Sequence, residues 1–351
     1  MAKTHTGGGP MKLERFEGCW TAMVTPFDRK GEVDFEGLEK NVQFQIEQGA
    51  HLVPTGTTGE SPTLDWKEHD RVITRTAKLA KGKAHVMAGT GSNSTKEALR
   101  GTKHAVEVGA PAVLLVDCYY NGPSSFELRT EYYERIAKAF RKTFVTPYVV
   151  PGRTGTKLEV EDLAILHRKF KNVRAVKEAT GDLGRMAKTR TLLGEDFDIL
   201  SGDDDKTYEM MTRTDIRASG VVSVTSNIVP GPIAEMIKAI SSGNMRRADQ
   251  LKDALDPLFK VVTVNTIESF EGFEVPCKFR NPLPIKTLMK GLGLPSGVCR
   301  SPLGKMTPKG VEVVRSALKE VYSKDREVLR PIHEFYKINI EERLSNDRYW
   351  K

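Results

Sequence analysis

Lys177 lies in an apolar segment in which its amine could act as a nucleophile. The segment reads VRAVKEAT over residues 173–180, and strand alternation places Lys177 on the same face as Val173 and Ala175. If that face lines the interior of a barrel, desolvation favours the unprotonated amine that attacks a carbonyl. The alternative is a lysine at a strand end that extends its ammonium group into solvent. The first interpretation predicts covalent catalysis through an imine on Lys177.

Two other segments place polar groups directly after apolar runs. Tyr148 ends one run and is followed by PGRTG, which contains Arg153, so a phenol that can move protons precedes a guanidinium that can bind a carboxylate. The segment GTTGES (56–61) combines glycines that allow close approach of a ligand with threonine hydroxyls that donate and accept hydrogen bonds. Taken separately, these residues could be a packing aromatic, a surface turn and a helix cap.

Eight short apolar runs must position these groups, and each is followed by a stretch with helical periodicity. Such alternation predicts a parallel sheet covered on both faces, and eight units in about 200 residues favour a (β/α)8 TIM barrel of the α/β class. An open doubly wound sheet is the alternative. In a barrel, the carboxyl ends of the strands build the site, which is where all of the segments above lie. The runs cover residues 19–27, 51–59, 85–91, 112–118, 145–150, 173–180, 197–203 and 220–227.

The remaining sequence predicts the organisation of the chain. Residues 1–15, polar and rich in glycine at their start, are expected to be a disordered N-terminal extension, and 16–240 to be the barrel. No strand is predicted after residue 228, and the helical patterns over 241–324 predict a C-terminal helical subdomain. Residues 325–351 are expected to form a polar, partly helical tail.

Composition excludes several classes of function. Lys and Arg number 54 against 46 Asp and Glu, but the net charge of +8 is spread along the chain, so we expect no nucleic-acid partner. The four cysteines form no CxxC pair and have no histidine at metal-ligand spacing, so neither a metal site nor a disulfide framework is predicted. We expect a cytoplasmic protein without a membrane span, because no signal peptide or long apolar run is present.

The motifs together resemble the dihydrodipicolinate synthase and N-acetylneuraminate lyase family of class I aldolase-type barrels. The resemblance extends from about residue 16 to 325. The paired threonines and the arginine of PGRTG are similar to the dihydrodipicolinate synthase branch. The motifs are GTTGES (56–61), GTGSN (89–93), YYN (119–121), Tyr148 with PGRTG (151–155), VKEATGD (176–182), SGDD (201–204) and GVVSVTSN (220–227).

The resemblance implies condensation of pyruvate with L-aspartate 4-semialdehyde in lysine and diaminopimelate synthesis. It implies that Lys177 forms the imine, so that no metal or other cofactor is needed, and that Tyr148 relays protons. It also implies that Thr58 links Tyr148 to Tyr120 of a neighbouring subunit, in a homo-oligomer that is a dimer of dimers, a homotetramer. The residues implied to bind the substrates are Thr57 and Thr58 for the pyruvate carboxylate, Arg153 for the aldehyde carboxylate, and Val222 and Gly202 for the pyruvate pocket.

By the same resemblance, L-lysine is an allosteric inhibitor that binds at a second site. An acid, an amide and aromatic rings could hold the two ammonium groups, the carboxylate and the aliphatic chain of lysine. The alternative is structural, with Asn93 as a helix cap, Glu97 as a first-turn acid and Trp66 as packing. The positions implied for this site are Ser61, Trp66, His69, Asn93, Glu97 and Tyr119.

Two other functions remain open at this stage. One is a pyruvate-dependent aldolase or dehydratase of the same family that acts on a sugar acid or a 4-hydroxy-2-oxo acid, against which Arg153 argues. The other is a non-catalytic protein that binds lysine or pyruvate. Val149 stands where the family usually has asparagine, and this exchange of an amide for an apolar side chain beside Tyr148 bears on the choice of the second substrate.

Overall fold

The structure, a computed structural model, describes residues 12–351 and contains an eight-stranded parallel sheet. Its strands are β1 (Gly18–Ala22), β2 (His51–Val53), β3 (Met87–Gly89), β4 (Ala112–Val116), β5 (Phe144–Val149), β6 (Ala175–Glu178), β7 (Asp198–Ser201) and β8 (Gly220–Ser223). They pair in the order β2-β1-β8-β7-β6-β5-β4-β3. A parallel bridge between Leu52 and Val86 joins the two ends of the sheet. The predicted (β/α)8 barrel is therefore confirmed.

Helices separate the strands and continue after the last of them. A π-helical segment, Leu128–Tyr133, joins the short helices α4 (Ser125–Glu127) and α5 (Glu134–Ala139). Within residues 12–351, no helix has both the length and the apolar character needed to cross a bilayer. The helices are α1 (Phe35–Glu47), α2 (Trp66–Ala80), α3 (Thr95–Glu107), α4 (Ser125–Glu127), α5 (Glu134–Ala139), α6 (Pro151–Thr154), α7 (Val160–Lys169), α8 (Leu183–Leu193), α9 (Thr207–Thr212), α10 (Pro230–Ser241), α11 (Met245–Phe259), α12 (Leu283–Leu292), α13 (Pro308–Lys324), α14 (Arg330–Tyr336) and α15 (Ile340–Ser345).

The barrel strands are apolar on both faces because both faces are covered. Their outward side chains join a large cluster beneath the helices. Their inward side chains form a second, smaller cluster inside the barrel, so the interior is a packed core rather than a pore. Members of this inner cluster include Trp20, Val53, Met87, Leu114, Tyr148, Ala175, Leu200 and Val222.

The N-terminal end of the barrel is closed by residues for which disorder was predicted. Residues 1–11 of the expected disordered extension lie outside the described residues, but the prediction was wrong for the next four. Leu13 is buried in the inner cluster, and Arg15 Nε donates to Asp198 Oδ1 at 3.0 Å. Apolar burial and an ion pair with a buried carboxylate order this segment, although its local composition is polar.

An antiparallel hairpin follows α11, so the prediction that no strand occurs after residue 228 was wrong. β9 (Thr263–Phe270) and β10 (Phe273–Arg280) are joined by Glu271 and Gly272, with φ values of 50° and 87°. Two consecutive residues with positive φ form the turn that matches the twist of a hairpin. The sequence signal for the strand was the enrichment of TVNTIESF in β-branched residues.

The C-terminal helices pack onto the barrel, and the tail packs with them. The tail is partly helical as expected, but it is not a loose appendage. Ile332 and Trp350 are buried, and the hydroxyl of Tyr336 donates to the side chain of Asn41 in α1 at 2.9 Å. Arg315 of α13 forms an ion pair of 2.6 Å with Asp347. Residues from opposite ends of the chain therefore share one core.

A buried ion pair ties the loop after β2 to α12. The Lys286 ammonium donates to Glu60 Oε1 at 2.7 Å and to the carbonyl of Thr25 at 3.0 Å, and both charged side chains are about 1% exposed. The second carboxylate oxygen, Oε2, accepts from the backbone N–H of Arg300 at 2.9 Å. Burial lowers the pKa of Lys286, and the charge of Glu60 opposes that shift. Glu60 itself has φ 56°, so this contact holds a backbone conformation that few residues adopt unaided.

The pair gives a prediction for stability. Lys286→Met should lower the free energy of unfolding by about 3–5 kcal/mol, because it leaves the Glu60 carboxylate buried without a partner. Urea unfolding followed by circular dichroism measures the change. Lys290→Met, one turn further along the same helix at an exposed position, is the matched control and should cost about 1 kcal/mol or less. Similar small losses in both variants would show that the pair is not an anchor.

Candidate active site

Lys177 and Tyr148 face each other on neighbouring strands inside the barrel. They are paired in register between β5 and β6, and the Lys177 ammonium lies 4.0 Å from the centre of the Tyr148 ring. Lys177 is 5% exposed and Tyr148 is 6% exposed. On its other side Lys177 is in register with the inner-cluster residue Leu200. The amine is therefore enclosed by an aromatic ring and apolar side chains.

A cavity of about 210 Å³ opens beside this pair at the carboxyl ends of the strands. Thr57 and Tyr148 line it, together with Arg153 of α6. Lys177 is not part of its wall but contacts the ring of Tyr148, which is. The wall also carries Leu114, Val116 and Val150, which make most of the surface apolar. The cavity thus combines a mostly apolar surface with side chains that can form hydrogen bonds, as is usual for sites that bind small molecules.

Thr58 lies outside the cavity wall and is 2% exposed. Its hydroxyl oxygen accepts a hydrogen bond of 2.9 Å from the side-chain amide of Asn281, and the Arg153 guanidinium donates to the backbone carbonyl of Asn281, also at 2.9 Å. The other amide atom, Oδ1 of Asn281, is buried and has no hydrogen-bond partner among residues 12–351. Asn281 was missed by the sequence analysis, because it follows a hairpin that was not predicted.

Gly202 and Val222 occupy the remaining predicted pyruvate-binding positions. The Gly202 N–H donates to the carbonyl of Glu178 at 2.7 Å, and a Cβ atom at this glycine would lie 2.6 Å from that of Ala179. Only glycine therefore fits where the chain leaves β7. Val222 is fully buried in the inner cluster, in register with Trp20 of β1. Neither residue contributes to the wall of the cavity.

Two acidic residues, Asp203 and Glu178, lie near Lys177. Next to Gly202, burial and the charge of Asp205 raise the pKa of Asp203 to about 6, and the nearby Lys177 ammonium opposes the shift. On the outward face of β6, Glu178 accepts from Arg185 Nε at 3.0 Å. Burial raises the pKa of Glu178, and the charge of Arg185 opposes it. The predicted alternation is therefore correct, with Lys177 inside and Glu178 outside.

Val149, which departs from the family pattern, also lies on the outward face. It is fully buried in the cluster between sheet and helices, and it is in register with Glu178 rather than with the amine. Its side chain is absent from the cavity wall. The exchange of asparagine for valine therefore changes the packing behind the site and leaves the groups that line the cavity unaltered.

A second, smaller cavity of about 150 Å³ adjoins the first. It is lined by five of the six residues predicted to bind lysine, namely Ser61, Trp66, His69, Glu97 and Tyr119. The sixth, Asn93, borders it and accepts from the backbone N–H of Tyr119 at 3.0 Å. Both cavities share Ser61, Pro62, Gly91 and Tyr119 in their walls.

The smaller cavity contains polar groups that packing alone does not explain. His69 is 2% exposed, and neither ring nitrogen makes a hydrogen bond of good geometry with the part of the chain described. Burial lowers the pKa of His69 to about 4, so the ring is neutral at physiological pH. The structural alternative for Asn93 was wrong, because Ser94 rather than Asn93 caps α3. Glu97 is in the first turn of α3, but its carboxylate also accepts a hydrogen bond from Ser92 Oγ.

Tyr120 is separate from both cavities in the single chain. Its φ is 77°, and it is 93% exposed, the highest value among the large apolar and aromatic side chains of the described residues. The expected link from Thr58 to Tyr120 requires a second chain.

A closed parallel barrel with a lysine on the sixth strand beside a tyrosine on the fifth defines a barrel of the class I aldolase type. The sequence model of the dihydrodipicolinate synthetase family matches residues 15–321. The chain belongs to this family. The 4-hydroxy-tetrahydrodipicolinate synthase of Methanococcus vannielii is 38% identical over 303 residues, covering 86% of this chain and 97% of the relative.

Solved structures give the same result. The dihydrodipicolinate synthase of Cyanidioschyzon merolae with lysine bound has a TM-score of 0.79 at 32% identity, covering 87% of this chain and 98% of that one. The chloride-inhibited synthase of Acinetobacter baumannii complexed with pyruvate has a TM-score of 0.78 at 35% identity, with the same coverage. The family resemblance found in the sequence motifs is therefore confirmed over most of the chain.

Proposed function

We propose that this protein is a Schiff-base lyase that condenses pyruvate with L-aspartate 4-semialdehyde to 4-hydroxy-tetrahydrodipicolinate, a step of lysine and diaminopimelate synthesis. The observation that carries the proposal is the enclosed amine of Lys177, 4.0 Å from the ring of Tyr148, which lines a cavity together with Arg153. The synthases to which the chain is similar support the choice of reaction. The four free cysteines agree with action in the reducing cytoplasm.

In the proposed reaction, the Lys177 amine attacks the keto carbon of pyruvate, and loss of water gives a protonated imine. The imine accepts electron density, so a proton can leave the methyl group of pyruvate, and the resulting enamine attacks the aldehyde carbon, whose oxygen takes up a proton. The amino group of the aldehyde substrate then displaces the Lys177 amine from the imine carbon, which closes the ring and frees the enzyme. Tyr148, whose ring contacts the Lys177 ammonium, moves protons during these steps. The mechanism uses no metal or other cofactor.

The two carboxylates of the substrates are assigned to different residues. We assign pyruvate binding to Thr57, which lines the cavity, and to Thr58, Gly202 and Val222, which lie outside its wall. Their hydroxyls and backbone groups would serve as hydrogen-bond partners. Arg153 binds the carboxylate of the aldehyde, because a guanidinium provides two parallel donors for it. Burial lowers the pKa of Arg153, but a guanidinium remains charged at working pH.

Direct assay distinguishes this reaction from those of other pyruvate-dependent aldolases and dehydratases. Pyruvate is offered with L-aspartate 4-semialdehyde, coupled to dihydrodipicolinate reductase, and in parallel with sugar-derived aldehydes and 4-hydroxy-2-oxo acids. The aspartate semialdehyde should give the highest kcat/KM. Faster turnover of a sugar acid would overturn the choice of second substrate, and the absence of any borohydride-trapped pyruvate adduct would indicate a non-catalytic binding protein.

Lys177→Ala should abolish turnover and borohydride trapping of pyruvate while the protein stays folded, because the nucleophile is lost. Lys177→Arg should be equally inactive, since its guanidinium stays protonated. Mass spectrometry of the trapped adduct and circular dichroism provide the readouts. Lys188→Ala removes an amine that is half exposed and remote from the cavity, so this control should trap as the wild type does. An adduct that persists in Lys177→Ala would refute the assignment.

We further propose that Tyr120 is donated to the site of a neighbouring subunit in a dimer of dimers. An aromatic ring that is 93% exposed and a residue held at φ 77° both raise the free energy of a chain on its own. Contact with a second chain would bury the ring and offset the strain. In an isologous pair the donation is mutual, so each site is complete only with its partner present.

Complementation tests this arrangement. Tyr120→Phe and Lys177→Ala subunits, each nearly inactive alone, are mixed and allowed to exchange. If Tyr120 acts across the interface, mixed dimers contain one complete site, and activity should rise to about a quarter of the wild-type value under random pairing. Activity that stays at the mean of the two parents would place Tyr120 in its own subunit or outside the site.

The smaller cavity supports inhibition by L-lysine. We assign the α-ammonium to Glu97, the carboxylate to Asn93 and Tyr119, and the side chain to the Trp66 and His69 rings, which lie 5.0 Å apart. Ser61 lies in the walls of both cavities, which gives a route by which one ligand can affect the other. The lysine-bound structure of a similar synthase supports the same ligand.

Inhibition by millimolar lysine should therefore persist at saturating pyruvate, because the two ligands occupy different cavities. Glu97→Gln should weaken inhibition at least about tenfold with a kcat close to wild type, since the carboxylate pairs with the ligand and not with the substrates. Glu107→Gln, at the exposed end of the same helix, is the control and should leave inhibition unchanged. Inhibition that pyruvate relieves, or that Glu97→Gln leaves intact, would contradict the assignment.

A further inference from the structure

Two arginines cross-link the base of the hairpin and α6. Arg153 lines the cavity of about 210 Å³, and Arg280 lies outside its wall. Arg280, the last residue of β10, donates from Nη1 to the carbonyl of Gly152 at 2.9 Å. In the opposite direction, Arg153 donates from Nη2 to the carbonyl of Asn281 at 2.9 Å. Each guanidinium therefore uses one of its N–H groups on a backbone carbonyl, and a guanidinium carries five.

The two positive charges are close together and are not neutralised by an ion pair. Burial lowers the pKa of Arg153 and the charge of Arg280 lowers it further, whereas Tyr148 and Asp203 oppose the shift. Across residues 12–351, neither guanidinium has a carboxylate within ion-pairing distance, although ion pairs are frequent elsewhere. Placing like charges side by side costs free energy that an anionic ligand would recover.

We propose that Arg280 is a second residue that recognises the carboxylate of the aldehyde substrate, acting together with Arg153. This inference rests on the proposed function and extends it, because the sequence motifs mark Arg153 alone. The hairpin thereby supplies a specificity-determining charge to a site that is otherwise built from the barrel. Aldehydes that carry a carboxylate are preferred over neutral ones of the same size.

A purely structural role for Arg280 is the competing explanation, and the rest of the hairpin argues against it. β9 is already attached to the start of α13, where Thr307 donates to Glu268 Oε1 at 2.7 Å and Lys309 donates to the carbonyl of Ile267 at 2.8 Å. At its base, Phe279 packs against the main core. The hairpin therefore does not depend on Arg280 to remain in place.

Two substitutions separate charge from hydrogen bonding. Arg280→Gln keeps a donor for the Gly152 carbonyl but removes the charge, and Arg280→Lys keeps the charge. Arg280→Gln should raise the KM of L-aspartate 4-semialdehyde about tenfold, with the KM of pyruvate and kcat within about twofold of wild type. Arg280→Lys should stay within about threefold for both substrates. Lys278→Gln removes the same charge two residues earlier on an exposed part of the strand, so this control should change neither KM.

A binding measurement keeps this test independent of the overall reaction. The adduct of enzyme and pyruvate is first fixed with borohydride, and the binding of succinate semialdehyde is then measured by calorimetry. Arg280→Gln should weaken binding about tenfold, while Arg280→Lys and Lys278→Gln bind as the wild type does. If the enzyme prefers another aldehyde but this difference persists, the role of Arg280 stands and the proposed reaction fails. Unchanged binding, or equal losses in Arg280→Gln and Lys278→Gln, would overturn the role of Arg280.

Discussion

The site depends on one buried ion pair. The Glu60 carboxylate is held between the Lys286 ammonium and the backbone of Arg300, and Glu60 directly follows the threonine-containing loop. Because the loop begins at the end of β2 and Lys286 lies in α12, this pair connects the barrel to the C-terminal subdomain. Two charges that are removed from water are stable only when they remain paired. The pair therefore restricts the conformations that the loop before Glu60 can adopt. The position of this part of the cavity wall is thus fixed by a residue outside the barrel, Lys286.

The second constraint is the alternation of side chains along the barrel strands. Lys177 and Glu178 are consecutive residues of β6 and point to opposite faces of the sheet. The amine of Lys177 is inside the barrel, whereas the carboxylate of Glu178 is paired with Arg185 under the helices. The two opposite charges are adjacent in sequence, yet the sheet lies between them. This separation leaves the amine among apolar and aromatic groups while the outer carboxylate contributes to helix packing. Val149 lies on the same outward side, which explains how the chain can depart from the family pattern there without altering the cavity.

Features with a local signal could be predicted from the sequence. The eightfold alternation and the positions of Lys177, Tyr148 and Arg153 follow from periodicity and from short motifs, and the structure places them at one end of one barrel. The Glu60–Lys286 and Thr58–Asn281 contacts join residues 226 and 223 positions apart, and no local pattern specifies such pairs. The first strand of the hairpin is rich in β-branched residues, which is a local signal. It was overlooked because only helices were expected after the barrel. Order in Leu13 and Arg15 likewise depends on distant partners rather than on their own polar surroundings.

The hairpin divides into a base and a tip that tolerate change differently. At the base, Arg280 is in register with Thr263, and a slip of one residue would turn every side chain of the strand to the opposite face. At the tip, Phe270 and Phe273 are paired with each other and are 50% and 73% exposed, so little of the remaining fold depends on them. Residues added in pairs at the turn would lengthen the hairpin without moving its base. The protein can therefore accumulate variation in an exposed element while Arg280, at the base of that element, keeps its position.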